Sequence, residues 1–304
     1  MKRLQNRIAQ SRWALPMTVI YGLVVCVAGG LVTEALWLEF ALLLVSTILM
    51  AELNNAYSLI RIFSRMVSCS FLVLTTMSLF LFKDIGVDVV QLSTIVFLLL
   101  LLRSYQDYTA TGWVFYAFCA LGVGSIEFSQ LLLFVPILWI IMAIYVQCFS
   151  ARTLFASVLG LLMPYWFVAA WLFYTNNLEF LSTHFLSIIQ FQTAFDFTII
   201  SFHQLLTLVF VFVLALIGAV HFLTYSYQDR IRTRMHYEAF MVLDACCFIF
   251  AIVQTQHFNV LLGMTIVFTS PLIGHYLALS HSKISNISFF VLAAATVAIT
   301  IFNL

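Results

Sequence analysis

Apolar stretches separated by short polar breaks fill the chain from end to end. The runs fall at about 14–32, 36–53, 67–82, 89–102, 111–126, 131–149, 154–174, 204–226, 239–253, 260–279 and 287–303. A transmembrane β-barrel would alternate apolar and polar positions in segments of about ten residues. Here the runs are continuously apolar, as in Val96 to Leu102, or Leu205 to Ala219 apart from Thr207. The pattern predicts an all-α, polytopic transmembrane bundle of about eleven spanning helices in a single domain, 1–304. Several runs are shorter than the roughly 20 residues of a perpendicular span, so their ends must draw on flanking polar residues.

Composition adds the reason. With 64% hydrophobic and 8% charged residues, no water-soluble domain could hide so much apolar surface. No soluble stretch exceeds roughly thirty residues, which leaves no room for an aqueous domain of ordinary size. The basic amino terminus, MKRLQNRIAQSRW, precedes an apolar stretch as in a secretory signal. That stretch lacks a small-x-small cleavage site and leads straight into another hydrophobic run, so it reads as a retained first helix. The six cysteines lie inside or at the ends of apolar runs and read as small hydrophobes. No Cys/His spacing suits zinc, and no motif implies a cofactor or metal.

The net charge of +1 is uninformative, but its distribution is not. With the amino terminus in the cytoplasm, Lys2, Arg3, Arg7, Arg12, Arg61, Arg65, Arg103, Arg152, Arg230, Arg232, Arg234 and Lys283 all fall inside, and only Lys83 falls outside. Adding or losing one helix midway would scatter these cations over both faces. The expected arrangement therefore has eleven crossings and an external carboxyl terminus. No polybasic run with interleaved aromatics suggests nucleic acid as a partner. The expected surroundings are the lipid bilayer, with other membrane proteins or a lipid-linked substrate as partners.

One outer connection is long. Residues 175–203 mix Phe, Leu and Ile with Glu179, His184, Gln190, Gln192, Asp196 and His203, which suits helices lying in the outer interface or a re-entrant hairpin. Pro136, Pro164 and Pro271 stand inside the sixth, seventh and tenth runs, where each would remove a helical hydrogen bond. There is no convincing internal repeat, which weighs against an inverted-repeat transporter.

Ionisable groups at membrane depth are expensive, and three stand out: Asp244, His221 and His275. They lie near the cytoplasmic ends of consecutive helices and are expected to meet in one inward-facing pocket, where a carboxylate beside an imidazole could relay a proton. The blander reading is an interfacial Asp244 and two packed histidines. A second set, Arg61, Arg65, Arg103, Arg152, Arg230, Arg232 and Arg234, suits phosphate or carboxylate groups of lipid headgroups or an acidic partner. The simpler and preferred reading is that they are topology determinants and interface anchors with local ion pairs. On the outer face, Asp196, His203, Glu34 and Glu39 are the candidate acid/base residues.

The layout, with an enlarged outer loop after the seventh helix, resembles peptidoglycan polymerases of the shape–elongation–division–sporulation family and O-antigen ligases. That resemblance implies a catalytic carboxylate or histidine in the large loop, which puts Asp196 and His203 in view. The chain departs from the pattern because its outer face holds only Lys83 to neutralise a departing diphosphate. A closer likeness rests on AELNNAYSLIRIFSRM (Ala51 to Met66), LLLLLRSYQDYTATGWVFYAFCALGVGSI (Leu98 to Ile126) and SARTLFASVLGLLMPYWF (Ser150 to Phe167). These stretches resemble an uncharacterised family of multi-pass inner-membrane proteins of Bacteroidota, over nearly the whole chain. The resemblance implies a bacterial cytoplasmic membrane and an envelope-related role, and carries over no catalytic residue. Three functions follow as expectations: a non-catalytic subunit or scaffold of envelope biogenesis, a glycosyltransferase or polymerase acting on a lipid-linked substrate at the outer face, and a transporter or flippase.

Overall fold

The computed structural model describes residues 4–177, 179–190 and 199–304. Among them there are helices and connections and no strand. The elements are α1 (Leu4–Ala9), α2 (Ala14–Ala28), α3 (Trp37–Tyr57), α4 (Met66–Met77), α5 (Leu79–Phe82), α6 (Ile85–Leu101), α7 (Thr111–Glu127), α8 (Val135–Ile141), α9 (Ala151–Tyr174), α10 (Glu179–Ser187), α11 (Phe202–Tyr225), α12 (Ile231–Val253), α13 (Phe258–Leu279) and α14 (Lys283–Asn303). Eight helical stretches are long and apolar enough to cross a membrane: α3, α6, the rod 129–146 that contains α8, α9, α11, α12, α13 and α14. The apolar helices α2 and α4, with 15 and 12 residues, fall short of that length, as does the 17-residue α7.

Helix starts lie upstream of the hydrophobic runs because the first turns are polar and capped. Asp84 accepts the Gly86 N–H ahead of α6, and Ser282 accepts the Ser285 N–H ahead of α14. Reciprocal capping boxes, Ser150 with Thr153 and Ser201 with Gln204, open α9 and α11. α12 begins eight residues before its run, through Arg232, Arg234, His236 and Glu238. α2, in contrast, stops short of Val32. Gly30 adopts φ +108°, and the Leu31 and Gly30 N–H groups bond to the Cys26 and Val27 carbonyls, a glycine-closed helix end. Pro136 also differs from expectation. It stands in the first turn of α8, after the tight turn Ser129–Phe134, where its missing N–H removes no bond from a continuous helix.

α13 is the central pillar. It packs against α4, α6, α11 and α12, and 83% of its apolar window is buried against 17% for α14. Glycines set the close approaches. A Cβ at Gly218 of α11 would lie 2.6 Å from the Leu272 carbonyl carbon of α13, and one at Gly160 of α9 would lie 2.3 Å from the Phe115 oxygen of α7. Without a hydrophobic drive between helices in lipid, such small-residue contacts provide much of the packing.

Polar links between connections fall into two sets. At one end Arg61 bonds to Gln228, Gln106 to Gln147, Ser150 to the Tyr108 carbonyl, and Gln5 to Ser280. At the other end Lys83 pairs with Glu34, Ser129 with Ser187, Gln204 with Asn259, and Asn303 with Thr207.

Candidate functional site

The densest polar site is at the arginine-rich end, where α11, α13 and the 226–230 connection converge. α11 and α13 run in the same direction, so the contact of Gly218 with Leu272 puts His221 beside His275 three residues further along each helix. Their Nδ1 atoms are 3.3 Å apart. After α11 the chain makes a tight turn, Ser226–Gln228, closed by the Asp229 N–H on the Ser226 carbonyl. That turn carries Asp229 Oδ2 to 3.0 Å from His275 Nε2. The side chains of His275 and Asp229 are 1% and 2% exposed, so the pair is withdrawn from water.

Arg61 completes the cluster, its guanidinium 3.8 Å from Asp229 and donating to Gln228 Oε1 at 2.6 Å. The loop that carries it is moored by Asn54, whose amide donates to the Ser64 carbonyl and accepts the Ile60 N–H. The His275 ring is boxed by Phe222, Tyr237 and His221 at centroid distances of 5.5, 5.0 and 5.4 Å. A carboxylate that accepts the His275 Nε2 proton leaves Nδ1 free to accept one from His221. Asp229, His275 and His221 thus form a continuous string of hydrogen-bonding contacts, and the three line a cleft of about 550 Å³.

The expected triad is corrected in one member. His221 and His275 adjoin, but their carboxylate neighbour is Asp229, and Asp244 lies elsewhere. Because α12 begins at Ile231, Asp244 sits about 20 Å along that helix, near its middle rather than near a boundary. Thr269 Oγ1 is 3.0 and 3.2 Å from its two oxygens. The arginines also separate. Arg103 lies over the Trp113 ring at 4.6 Å, and Arg65 is 5.7 Å from Phe63. Arg232 lies against Tyr57 and Tyr105 and donates to His236 at 3.3 Å, so aromatic faces and an imidazole engage it rather than headgroups. Arg152 is exposed in the first turn of α9 and Arg230 is exposed before α12, while Arg234 is half-buried in the first turn of α12. Sequence reasoning reaches Asp229 only as the first residue of the basic 229–234 segment, and does not reach Tyr237 or His236. The one available signal was the nearness of Asp229 to His221 along the chain.

At the opposite end the acid/base candidates stand apart. Glu34 is paired with Lys83 at 2.5 Å, both about half exposed. Glu39 is half-buried in the first turn of α3. His203 accepts or donates at Ser201 Oγ, 3.1 Å away, and meets Phe80 edge-on. No hydrogen bond or ion pair among the described residues joins His203 to Glu34 or Glu39. Asp196 lies outside the described residues. α10 is tied across this end by Ser187 to Ser129 at 2.7 Å and by His184 to Tyr165 at 3.2 Å. Burial holds the His184 imidazole below its ordinary 6.5, partly offset by a hydrogen bond at the Ser125 backbone.

No group of three or more His, Cys, Asp or Glu among the described residues is arranged to hold a metal ion, and all six cysteines are free thiols. No protein-family model, no curated protein and no solved structure matches the chain. The fold defines a helical class of chain, in which eight apolar helices among the described residues are long enough to cross a membrane.

Proposed function

We propose that the chain is an integral protein of a bacterial inner membrane that crosses it eleven times, with its amino end and arginine-rich loops in the cytoplasm and its carboxyl end outside. In this reading it belongs with the multi-pass Bacteroidota family it resembles and serves as a non-catalytic membrane subunit in envelope biogenesis. The two sets of polar links support an odd number of crossings, since each set joins connections that alternate along the chain. The subunit role rests on the filled centre: α13 is enclosed, and the mid-helix Asp244 is engaged by Thr269 rather than facing a passage. Purification of the full chain in mild detergent should bring down a stoichiometric membrane partner, identifiable by mass spectrometry. Recovery of the chain alone, with full complementation of a deletion only by variants that keep Asp229, would sink the subunit role.

A transporter or flippase is the second reading. The Asp229–His275–His221 chain favours it, because a buried carboxylate–imidazole relay opening on a cleft is a proton-handling arrangement. An outer-face glycosyltransferase draws on Glu34, Glu39, Asp196 and His203, and no bonded pair among the described ones supports it.

A further inference from the structure

Asp229 stands between an imidazole and a guanidinium and holds them unequally. His275 Nε2 is 3.0 Å from Oδ2, whereas Arg61 is 3.8 Å from Oδ1, beyond hydrogen-bond range. Oδ1 is buried and accepts no hydrogen bond. Arg61 also stands in a partition. With Gln228 and Asp229 it lines both the cleft of about 550 Å³ and a second polar hollow of about 380 Å³, which Asn54, Ser64 and Thr233 wall further. The proton positions follow from the contacts. A carboxylate only accepts, so His275 donates from Nε2 and keeps a lone pair on Nδ1. His221 then donates from Nδ1 across 3.3 Å and keeps its own lone pair on Nε2. That nitrogen has no hydrogen-bond partner and is not sealed from the cleft that His221 lines.

We infer that this end binds one proton from the cleft, and that its arrival hands Asp229 from Arg61 to His275 and opens the partition between the two hollows. The inference rests on the proton-handling reading of Asp229–His275–His221 and on no part of the subunit role. A hydronium ion in the cleft gives its proton to His221 Nε2 and leaves as water. The His221 Nδ1 proton passes to His275 Nδ1. His275 ends as an imidazolium with its Nε2–H still on Asp229, and His221 ends neutral. Two cations then face one carboxylate. The imidazolium keeps it, because a side chain 1% exposed has no water to turn to, while Arg61, 36% exposed, can carry its charge into solvent. The other titratable groups facing the pair are Tyr225 and Tyr276 beside His221, Tyr237 against His275 from α12, and His281 after α13. None of these is a carboxylate that could take over from Asp229. Arg61 leaves as a side chain alone, because Asn54 moors the backbone of its loop, and its bond to the exposed Gln228 exchanges for water.

Opening is read by maleimide alkylation of Thr233→Cys, a position buried in the wall of the second hollow, in full-length protein in detergent freed of its six native cysteines. Each rate is divided by that of the exposed Arg152→Cys at the same pH, which removes the titration of the thiol. From about pH 8 to about pH 5, across the ordinary histidine range, the ratio should rise about tenfold. In His275→Gln, which keeps a donor for Asp229 and takes up no proton, it should stay low. In Arg61→Gln it should be high at every pH, and His281→Gln should keep the rise. A flat ratio, a rise that survives His275→Gln, a low ratio in Arg61→Gln or loss of the rise in His281→Gln would each overturn the inference. Nitrogen-15 spectra of histidine-labelled protein stand in for His275→Gln should that variant not fold. A second N–H on His275 appearing in step with the rise supports the inference. The same N–H with a flat ratio ends the gate and leaves the proton-handling reading intact, whereas an imidazolium formed on His281 and never on His275 ends both.

Discussion

Gly218 and Asp229 carry the site between them, one through packing and one through charge. A side chain at Gly218 must displace the α13 backbone or α11 itself, since even a Cβ would stand 2.6 Å from Leu272. Gly218→Leu should therefore destabilise the protein by about 1–3 kcal/mol in thermal unfolding and part His221 from His275. Gly112→Ala, where a Cβ would meet nothing within 4 Å, should be close to neutral. At Asp229 the comparison is between two truncations. Asp229→Asn keeps an oxygen for His275, whereas Asp229→Ala leaves buried imidazole nitrogen and Arg61 without that partner. The alanine variant should be less stable than the asparagine one by about 1–3 kcal/mol, measured by chemical or thermal unfolding in one detergent. At this scale the sequence was partly legible. His221 and His275 were visible as costly groups in apolar runs, but Asp229 read as one more residue of a basic connection. Its role depends on a tight turn after α11 that hydropathy does not register.

Helices announce themselves by their apolar middles and hide their ends. Four capped starts, at Asp84, Ser150, Ser201 and Ser282, lie three to five residues ahead of the hydrophobic runs, because a capped first turn carries polar side chains by design. α12 shows the functional consequence: moving its start to Ile231 moves Asp244 from the boundary to the middle of the rod. α10 behaves differently. None of its residues is buried, and Ser187 and His184 tether it. Its docking should depend on pH through His184. Burial lowers the docked imidazole below its ordinary 6.5, so above that value docked and released forms are both neutral and docking is at full strength. As pH falls through 6.5 the released segment binds protons more readily, and docking weakens. Hydrogen exchange of 179–187 should accelerate on acidification through that range, and His184→Gln should remove the dependence. An unchanged profile in the variant would assign the effect to another group.

On the scale of the whole molecule, the outer faces are apolar enough to suit hydrocarbon surroundings. Trp166, Trp171 and Tyr174 on α9 are 79%, 66% and 80% exposed, and α14 turns most of its apolar length outward. Such surface would drive association in water. The proposed crossings predict an accessibility map. In a background freed of the six native cysteines, a cysteine at Arg152 or Arg230 should resist a membrane-impermeant maleimide in intact cells, while one at Lys83 or Glu34 should react. Labelling of position 152 from outside would invert the arrangement and take the cytoplasmic assignment of the cleft with it.

The amino-acid sequence by itself determined the helical class of this protein and the approximate place of its apolar rods, and it pointed to hydrocarbon as the surroundings that suit them. Those properties follow from local composition: a run of apolar residues must satisfy its own backbone in lipid, and helices do so without help from distant residues. Which polar groups meet was decided only by the tertiary structure. That depends on where two rods cross and how far they stand apart, set here by a glycine on α11 against the backbone of α13 and by a turn that folds a carboxylate back onto a histidine 46 positions away. Hydropathy records the depth of a residue along its own helix; it holds no information on the rotation and approach that bring two helices' side chains into one site.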